Sequence, residues 1–531
     1  MATYNPEQQA AIDSNAKHLL ILAGAGTGKS HTLLGRIKRM IDEGADPTSI
    51  LALTFTNAAA FEMKDRFKRQ NPEARLIPEF RTFHSFCYSL LGKDMQIRNK
   101  LGYFAIPKIA DETVMKRIET HTKLQIGNKV TDSMIQRKRA LSEKEEFELA
   151  VYKKAFDRNL RREGYITFDM LCYEVCKLFE EDDPVILKYK QQYKHLLIDE
   201  FQDTDTRQHR FAMSFQDADI CVVGDALQNL YSFRGTTAEI IKSLAEDASW
   251  ETVRLTRNYR STIQICDFAN SHSLYAKDEY RIPIWSDREG YNVNVIPCNY
   301  NRSQEVGIRT IINTLKEIPE TSDVAVLVRT NNEVGYLYEQ LTEQGINCRL
   351  GKPNADAIHM LRCCVEKDYC TDWLSSFLNS VEYAEFQRVC NVEHTISKYD
   401  LLMKWFYNKP AISKRIDCIT RLSFAMQESD IPYQKATAMF EVLGYKNIQV
   451  ETTAQNDLEV VEYMIATIEQ MQQAGVYIGT IHSSKGLEYE MVFLVGVGGK
   501  SFRLTNEDNN NLYYVGITRA KDRLFVIGED F

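Results

Sequence analysis

The stretch LLILAGAGTGKS, residues 19–30, joins an apolar run to a series of small residues that ends in lysine and serine. A helical pattern, HTLLGRIKRMIDEG (31–44), follows directly. In such a strand–loop–helix unit, backbone N–H groups curl around a phosphate at the N-terminus of the helix. Lys29 would then reach the β and γ oxygens, and the Ser30 hydroxyl would ligate Mg²⁺. We therefore expect a P-loop, with alanine in place of the usual first glycine, formed by Ala23, Gly24, Ala25, Gly26, Thr27, Gly28, Lys29 and Ser30.

Short apolar runs of the same kind recur along the whole chain. They are rich in Val, Ile and Leu on both faces and alternate with helical patterns, which is typical of buried parallel strands joined by crossover helices. The sequence therefore predicts an α/β fold. The runs occupy residues 19–24, 50–56, 195–200, 220–225, 324–330, 477–482, 491–498 and 523–528.

These runs fall into two groups, and a long segment of helical periodicity interrupts each group. The economical interpretation is two parallel sheets, each with a mainly helical insertion. We place the first sheet domain at residues 1–90 and 191–253, its insertion at 91–190, the second sheet domain at 254–350 and 475–531, and its insertion at 351–474.

The overall composition is that of a globular protein with several domains. The chain has 531 residues, 44% hydrophobic and 26% charged, and it contains no run of 18 apolar residues. Its first residues lack the basic and apolar regions of a secretion signal. Its 12 cysteines form no CxxC pair, so we expect reduced thiols in a cytoplasmic protein that does not enter a membrane.

Clustered cysteines raise the possibility of a metal centre. The spacings of these residues fit no tetrahedral site, and clustered cysteines on a helix face are more often core residues. We therefore expect no metal other than the Mg²⁺ that accompanies a nucleotide. The cysteines concerned are Cys172, Cys176, Cys363, Cys364 and Cys370.

Charge is distributed unevenly along the chain. The formal net charge is −8, which argues against a uniformly basic surface. Residues 116–162 nevertheless hold 13 Lys and Arg against 7 Asp and Glu, a local charge of +6. Such a run is either a solvated helix face or a surface that contacts nucleic acid. Together with the motifs described next, it favours a contact with duplex DNA.

The second half of a nucleotide site must hold the metal ion and orient the attacking water. The run HLLI ends directly at Asp199 and Glu200. Asp199 would hold Mg²⁺, directly or through water, and Glu200 would polarise the water. An acidic pair at the end of a strand can also be an ordinary loop exit, so this prediction depends on the P-loop upstream.

Together with AGAGTGKS, the segment DEFQDT (199–204) resembles the UvrD/Rep family of superfamily 1 DNA helicases. Further segments match the motifs of that family in order, from Asn5 to Lys521, but the two insertions carry little recognisable pattern. The resemblance implies two tandem RecA-like P-loop domains, in a compact member without a fused nuclease. The matching segments are YNPEQQAAI (4–12), TFTNAAAFEM (54–63), RTFHSF (81–86), VVGDALQNLYSFRG (222–235), LTRNYRS (255–261), TIHSSKGLEYEMVFLVGV (480–497) and LYYVGITRAK (512–521).

The resemblance also implies which residues surround the nucleotide. Gln8 would read the adenine edge, Tyr259 would stack on the base, and Glu488 would contact the ribose. The catalytic residues it implies, besides Lys29 and the acidic pair, are Gln228 as a sensor of the γ-phosphate and Arg260 and Arg519 as arginine fingers. Because both arginines come from the second domain, the site would be complete only when the two domains meet.

The resemblance places single-stranded DNA on the loops at the ends of the strands. Aromatic residues there would stack on bases while polar neighbours contact phosphates, a combination that binds single strands without sequence preference. Phe233 matches an aromatic residue that stacks on a base in the family. Phe55 follows an apolar run directly, so it is the aromatic most expected to lie in the core. The expected DNA-contacting residues are Phe55, Thr56, Asn57, Phe83, His84, Tyr231, Phe233, Arg234 and His482.

Several positions depart from the family pattern. Ala58 stands where a lysine is usual, His31 stands where an arginine is frequent, and Asn229-Leu230-Tyr231 replaces SIY. The polar segment EDNNN (507–511) replaces a Glu/Arg-rich lead into the last motif. None of these changes removes a catalytic group, so they bear on DNA affinity and coupling more than on hydrolysis.

These observations predict an ATP-dependent DNA helicase that uses ATP and Mg²⁺ and travels on single-stranded DNA, in the 3′ to 5′ direction that the resemblance implies. It would unwind duplexes during replication, repair or recombination, in a bacterial or viral setting and associated with the nucleoid. The expected partners are single-stranded DNA, its junction with a duplex, and proteins that load or activate the enzyme.

Two other functions are compatible with parts of the pattern. One is a DNA-dependent ATPase subunit, acting as a sensor, loader or remodeller in a larger repair or defence complex and unwinding little alone. Two features motivate it: the second insertion is shorter than in the larger members of the family, and the segment 222–235, which resembles the motif that couples nucleotide to DNA, is altered at Asn229-Leu230-Tyr231. The other is a small-molecule P-loop kinase, which would leave the second sheet domain without a role.

Overall fold

The chain folds into two compact units. One unit consists of Met1–Ile97, Leu171–Gly351 and Ala474–Phe531, and the other of Arg98–Met170 and Lys352–Gln473. The large parallel sheets lie in the first unit. The computed structural model describes residues 4–127, 130–135, 142–230, 238–272, 282–317, 323–350, 355–365, 410–443, 450, 452, 454–471, 475–499, 502–505 and 507–529.

The strands form where apolar and β-branched residues are concentrated. Most of them are short and end at a loop that carries polar residues. In chain order they are β1 His18–Ala23, β2 Ile50–Thr54, β3 Glu79–Thr82, β4 Lys108–Ile109, β5 Tyr165–Ile166, β6 His195–Ile198, β7 Asp219–Gly224, β8 Glu251–Leu255, β9 Asn294–Pro297, β10 Val324–Val328, β11 Cys348–Leu350, β12 Val476–Thr480, β13 Tyr489–Val497 and β14 Ala520–Gly528.

Helices connect the strands and make up most of the second unit. Among the described residues, none of them combines the length and the apolar character needed to cross a membrane. In chain order the α-helices are α1 Pro6–Asp13, α2 Lys29–Asp42, α3 Asn57–Gln70, α4 Phe83–Lys93, α5 Met95–Lys100, α6 Glu112–Gln125, α7 Asp132–Ile135, α8 Glu143–Arg162, α9 Phe168–Glu180, α10 Leu187–Gln192, α11 Thr206–Met213, α12 Ala238–Glu246, α13 Ile263–His272, α14 Tyr300–Leu315, α15 Asn331–Glu343, α16 Ala355–Val365, α17 Pro410–Gln427, α18 Pro432–Val442, α19 Asp457–Met471 and α20 Glu507–Ile517.

The first sheet has the strand order β3-β2-β6-β7-β1-β8, and all of its pairs are parallel. Every residue of β2 is buried, and only the first residue of β1 and of β7 is partly exposed. Helices cover both faces of these strands, which explains their continuous apolar runs. The carboxyl ends of β1, β6 and β7 lie side by side, at the edge where open parallel sheets bind ligands.

The second sheet has the strand order β11-β12-β10-β13-β14-β9 and is also parallel throughout. All five residues of β10 are buried, and the nine residues of β13 are buried except Glu490. The predicted α/β fold with tandem parallel sheets is therefore confirmed. Each of the eight apolar runs found in the sequence overlaps a strand of these sheets.

The second unit has its own apolar cores. In its first part, Arg117 Nη1 donates to Glu163 Oε2 at 2.7 Å, and Asn159 Nδ2 donates to Thr122 Oγ1 at 2.9 Å. Helices α7 and α8 there enclose a small cluster of Val130, Met134, Leu149 and Tyr152. Helices α16 to α19 form a separate cluster that includes Leu361, Leu422, Met439, Phe440 and Val461.

Candidate active site

The P-loop connects β1 to α2 at the carboxyl edge of the first sheet. Gly26 and Gly28 have φ angles of +69° and +83°, in the left-handed region that favours glycine. A Cβ atom at Gly26 would lie 2.7 Å from Asn258 Nδ2, and one at Gly28 would lie 2.8 Å from Gln8 Nε2. Gly28 is the N-cap of α2 and offers no capping side chain, so the first N–H groups of the helix point toward the space where a phosphate would bind.

Residues 258–259, which follow β8, donate hydrogen bonds to the backbone of the P-loop. Asn258 Nδ2 donates to Ala25 O at 2.7 Å, and Tyr259 N donates to Gly26 O at 2.9 Å. Asn258 Oδ1 accepts from Arg260 N at 2.7 Å, and the residue is 1% exposed. The sequence analysis missed Asn258, although a polar amide inside the LTRNYRS motif was the signal that could have revealed it.

The acidic pair lies at the carboxyl end of β6, beside the lysine and serine of the P-loop. Ser30 Oγ donates to Asp199 Oδ2 at 2.7 Å, and Lys29 Nζ lies 3.2 Å from Glu200 Oε2. Glu200 has a φ angle of +54°, which is uncommon for a residue with a Cβ atom. Backbone strain of this kind concentrates at functional sites. The structure thus brings together the four residues expected to contact phosphate, metal and water.

Neighbouring charges determine whether Lys29, Glu200 and Asp199 are ionised. Burial favours the neutral form of Lys29, but the carboxylates of Glu200, Asp225 and Asp199 outweigh burial and raise the pKa of Lys29. Burial also favours the neutral form of Glu200, yet Lys29 and Lys485 lower its pKa to about 2. Burial and the charge of Glu200 raise the pKa of Asp199 to about 6. The pocket therefore holds an excess of buried negative charge near Asp199.

Gln228 approaches the lysine from the end of the neighbouring strand. It ends the short 3-10 helix Ala226–Gln228, which follows β7, and it is 4% exposed. Its Nε2 donates to Asp225 Oδ2 at 2.6 Å, and Lys29 Nζ donates to its Oε1 at 3.5 Å. The side chain is thus held beside the position expected for the γ-phosphate.

The two predicted arginine fingers both line the pocket: Arg260 lies in the segment after β8 of the first sheet, and Arg519 directly precedes β14 of the second sheet. Arg260 Nε donates to Glu488 Oε2 at 2.7 Å, and its Nη1 donates to Thr518 O at 3.0 Å. Arg519, which is 2% exposed, donates from Nη1 to Leu487 O at 3.1 Å. Burial and the neighbouring charge of Arg260 lower the pKa of Arg519, but a guanidinium stays protonated at neutral pH.

One cavity of about 840 Å³ contains these groups, a volume within the range of pockets that bind nucleotide-sized ligands. Glu488 lies in its wall, where burial favours the neutral form but Arg260 and Lys521 outweigh burial and lower the pKa. The predicted residues that line the cavity are Gly26, Thr27, Gly28, Lys29, Ser30, Asp199, Glu200, Gln228, Tyr259, Arg260, Glu488 and Arg519.

The two residues expected to hold the base differ in their surroundings. Tyr259 is 49% exposed, and the guanidinium carbon of Arg257 lies 5.1 Å from the centre of its ring. Gln8 is 2% exposed, donates from Nε2 to Thr27 O at 3.0 Å and accepts from Asn5 N at 3.2 Å. Gln8 therefore completes the capping box of α1, whose N-cap is Asn5, and donates to the P-loop backbone, and its contact with adenine stays a prediction.

A lysine that the sequence analysis did not single out connects the two sheets. Lys485 follows β12, and its Nζ lies 2.7 Å and 2.5 Å from the carboxylate oxygens of Asp203, beyond the end of β6. The same Nζ donates to Gln228 O at 2.7 Å. Burial raises the pKa of Asp203 to about 6 against the opposing charge of Lys485. A buried carboxylate needs a cationic partner. Asp203, the second aspartate of DEFQDT, was therefore the residue in the sequence that could have indicated a lysine such as Lys485.

Part of the predicted DNA-contacting set lies along adjacent strand ends of the first sheet. Phe55 is partly exposed after β2, and Thr56 and Asn57 are exposed at the start of α3. Thr82 Oγ1 donates to Asn57 Oδ1 at 3.4 Å, which ties the end of β3 to that of β2. His84 is partly exposed in the first turn of α4. These loops thus form one continuous surface.

Phe83 requires a correction, because the sequence analysis expected it to stack on a base. It is 5% exposed, and its ring meets that of Phe211 edge to face with 5.9 Å between the ring centres. Phe83 is therefore a core residue, whereas Phe55, which was also predicted to contact DNA, is partly exposed. The predicted contacts Tyr231, Phe233 and Arg234 lie outside the described residues.

His482 begins the short 3-10 helix His482–Ser484, directly after β12. It is partly exposed at the carboxyl edge of the second sheet. Burial and the positive charges of Arg329 and Lys485 lower its pKa to about 4. The imidazole is therefore neutral at pH 7, and its contact with DNA stays a prediction.

The donor set beside the P-loop fits a magnesium ion. Ser30 supplies a hydroxyl oxygen and Asp199 a carboxylate oxygen, which are ligands that Mg²⁺ prefers. The raised pKa of Asp199 reflects negative charge that a bound cation would offset.

Comparison with known proteins finds relatives along both halves of the chain. Residues 4–249 match the UvrD/REP helicase N-terminal domain, and residues 253–355 and 366–529 match the UvrD-like helicase C-terminal domain. The chain is 25% identical to the ATP-dependent DNA helicase PcrA of Staphylococcus epidermidis, over 98% of this chain and 83% of that protein. It is 26% identical to the probable DNA helicase II homolog of Mycoplasma capricolum, over 98% of this chain and 84% of that protein.

Proposed function

Because this chain belongs to the UvrD/REP helicase family and is an ATP-hydrolysing DNA helicase, we propose that it travels 3′ to 5′ on single-stranded DNA and unwinds the duplex that it meets. One observation carries the proposal: Lys29 of the first sheet and Arg519 of the second line the same cavity. Hydrolysis at such a site depends on the contact between the two sheet domains, so each turnover can be converted into a relative movement.

The proposed chemistry is in-line attack of water on the γ-phosphate of ATP. Lys29 binds the β and γ oxygens, and Glu200, held as a carboxylate, orients the water. Gln228 senses the γ-phosphate. Arg260 and Arg519 stabilise the negative charge that develops on the transferred group. A magnesium ion held by Ser30 and Asp199 would neutralise phosphate charge when bound.

The proposed DNA track crosses the loops at the carboxyl ends of the strands. Phe55 offers a partly exposed ring for stacking, and Asn57, His84 and His482 offer polar groups to phosphates. The phosphate backbone supplies most of the affinity in such a contact, so binding would weaken as salt increases. The basic segment 116–162 is the proposed contact with the duplex ahead of the single strand.

Coupling is proposed to pass through the loops that connect the sheets. Lys485 contacts both Asp203 and the backbone of Gln228, and it comes from the loop that also carries His482. A structural change at the γ-phosphate can therefore be transmitted through Gln228 and Lys485 to His482, a proposed DNA contact. Alternating grip at the two sheet domains would then advance the strand.

A strand-displacement assay tests this proposal. The purified chain is given ATP and Mg²⁺ with duplexes that carry a 3′ tail, a 5′ tail or blunt ends, and ATP hydrolysis is followed in parallel. We expect single-stranded DNA to stimulate hydrolysis and the 3′-tailed duplex to be unwound fastest. Rapid DNA-stimulated hydrolysis without displacement of any substrate would contradict unwinding and favour the role of an ATPase subunit. Hydrolysis indifferent to DNA would contradict the whole proposal.

A further inference from the structure

Three buried cysteines meet inside the first unit, away from the nucleotide cavity. Cys87 lies in α4, and Cys172 and Cys176 lie one turn apart in α9. Their exposed fractions are 0%, 6% and 0%, and their sulfur atoms lie within 4.8 Å of one another. From the sequence no metal is expected at Cys172 and Cys176, because their spacing fits no tetrahedral site, and only the fold brings Cys87 to them.

The spacing of the sulfur atoms is that of a metal coordination sphere. The Sγ atoms of Cys172 and Cys176 are 3.8 Å apart. In a tetrahedral zinc site with Zn–S bonds of about 2.3 Å, two sulfur ligands are separated by about 3.8 Å. The remaining separations, at 4.8 Å or less, would need only a small rotation of the side chains to reach that value.

A fourth ligand has to come from a residue beside the cluster, because among the described residues the ligand atoms that lie within 4.8 Å of one another are the three sulfurs. His84 precedes Cys87 by three residues in α4, and residues at this spacing lie on the same face of a helix. From this face, a change of side-chain rotamer would carry the imidazole toward the sulfurs. An imidazole has two ring nitrogens, so coordination through one leaves the other free to hydrogen-bond a second group, such as a DNA phosphate.

The Cys172 sulfur has a further polar neighbour, because Gln208 Nε2 lies 3.9 Å from it as a donor. Such a donor stabilises a thiolate, which is the form of cysteine that binds a metal ion. Binding of the ion would release the thiol protons.

We propose that Cys87, Cys172 and Cys176, with His84 as the fourth ligand, form a structural zinc site that joins α4 to α9. Three thiolates and one imidazole are a common ligand set of closed zinc sites, which contribute to folding and not to catalysis. The ion would fix α4, whose first residue directly follows the end of β3. This site is separate from the magnesium of the nucleotide and does not depend on the direction of travel along DNA.

Metal binding by the whole chain provides the first test. The reduced protein, freed of metal with a chelator, is titrated with Co²⁺ and then with Zn²⁺. We expect one Co²⁺ per chain, a thiolate-to-cobalt charge-transfer band, the visible spectrum of a tetrahedral centre, and displacement of the cobalt by one equivalent of Zn²⁺. The absence of a charge-transfer band in the unsubstituted protein would overturn the proposal, and this result needs no variant that might unfold.

Matched variants locate the site. Cys172→Ala and Cys87→Ala should lose the cobalt band, whereas Cys221→Ala, at a cysteine that is 2% exposed and outside the cluster, should keep it. His84→Ala should weaken Co²⁺ binding at least tenfold and change the visible spectrum. A full cobalt band in Cys172→Ala would overturn the three-cysteine assignment, and unchanged binding in His84→Ala would overturn the fourth ligand. Circular dichroism checks that each variant is folded.

Discussion

Lys29 and Glu200 keep each other ionised in the cavity. Their side chains form an ion pair at 3.2 Å, and each charge shifts the pKa of the other toward the charged form. A phosphate that binds Lys29 would replace Glu200 as its partner. The carboxylate would then be available to accept a hydrogen bond from water, so the arrangement links nucleotide binding to the release of the proposed base.

The first prediction concerns Glu200→Gln. The amide keeps the shape of the side chain but polarises water poorly, so ATP turnover should fall by about 10²- to 10⁴-fold. ATP binding should be retained or tightened, because Lys29 loses a competing anion. Steady-state hydrolysis and equilibrium binding of ATP measure the two effects. Glu490→Gln, at an exposed position of β13, is the matched control, and full turnover in Glu200→Gln would refute the assignment.

The second prediction concerns the protonation of His482. Its pKa is lowered from 6.5 to about 4, so the unfolded chain binds this proton at a higher pH than the folded chain does. Above pH 6.5 the imidazole is neutral in both states, so it does not change the free energy of unfolding. As the pH falls from 6.5 toward 4, the unfolded chain is protonated first, and the free energy of unfolding decreases. NMR titration of labelled histidine, with His482→Gln to assign the resonance, should give a midpoint near 4. An ordinary midpoint near 6.5 would contradict the buried, positively charged surroundings described for this residue.

At the scale of elements, the central strands could be predicted from the sequence and the edge strands could not. Buried strands such as β2 and β10 carry unbroken apolar runs because helices cover both faces. The missed strands β3, β8, β11 and β9 form the outer edges of the two sheets. They are partly exposed, and their polar residues resemble loops. Their pairing depends on a neighbouring strand that is distant in sequence, which local patterns do not reveal.

The loops after β6 and β12 meet through Lys485 and Asp203, and the third prediction tests that contact. Lys485→Met leaves a buried carboxyl without its cation, at a cost of about 3 to 5 kcal/mol when such a pair is broken. The folded-state pKa of Asp203 should then rise above about 6, so the loss of stability should grow as the pH increases. Thermal unfolding at several pH values measures the loss, and ATPase assays should show reduced DNA stimulation.

A double variant separates the pair from other effects of the substitution. Asp203→Asn combined with Lys485→Met removes both charges and should recover most of the lost unfolding temperature. Lys38→Met, which removes an exposed ion pair with Asp42, should change the unfolding temperature very little. A double variant no more stable than Lys485→Met alone would show that the two loops are not held together by this ion pair.

At the scale of the whole molecule, most of the residues that line the cavity could be predicted from the sequence. The contacts that hold the segments of the cavity together could not. The P-loop, the acidic pair and the two arginines belong to short motifs whose order along the chain carried the prediction. Asn258 and Lys485 escaped notice because their roles arise from contacts between segments distant in sequence. Phe83 was misassigned for a related reason, since an aromatic residue at the end of a strand can turn either to the loop or to the core.

The two sheet domains share an apolar contact as well as the cavity. Ala25 and Leu230 of the first domain belong to the same buried cluster as Leu512 and Tyr513 of the second. Ala25 of the P-loop segment thus packs in the same core as residues of α20. The central claim is therefore that groups donated by the second domain complete the hydrolytic site of the first.

Single-turnover ATP hydrolysis by Arg519→Lys tests this claim most directly. Lysine keeps the positive charge but loses the planar set of donors, so the rate should fall by roughly 10³-fold, while the affinity for ATP changes only a few-fold. Arg523→Lys, whose guanidinium stacks on Tyr291, is the matched control and should hydrolyse ATP normally. Hydrolysis by Arg519→Lys at the rate of the unsubstituted protein, with and without single-stranded DNA, would contradict the account.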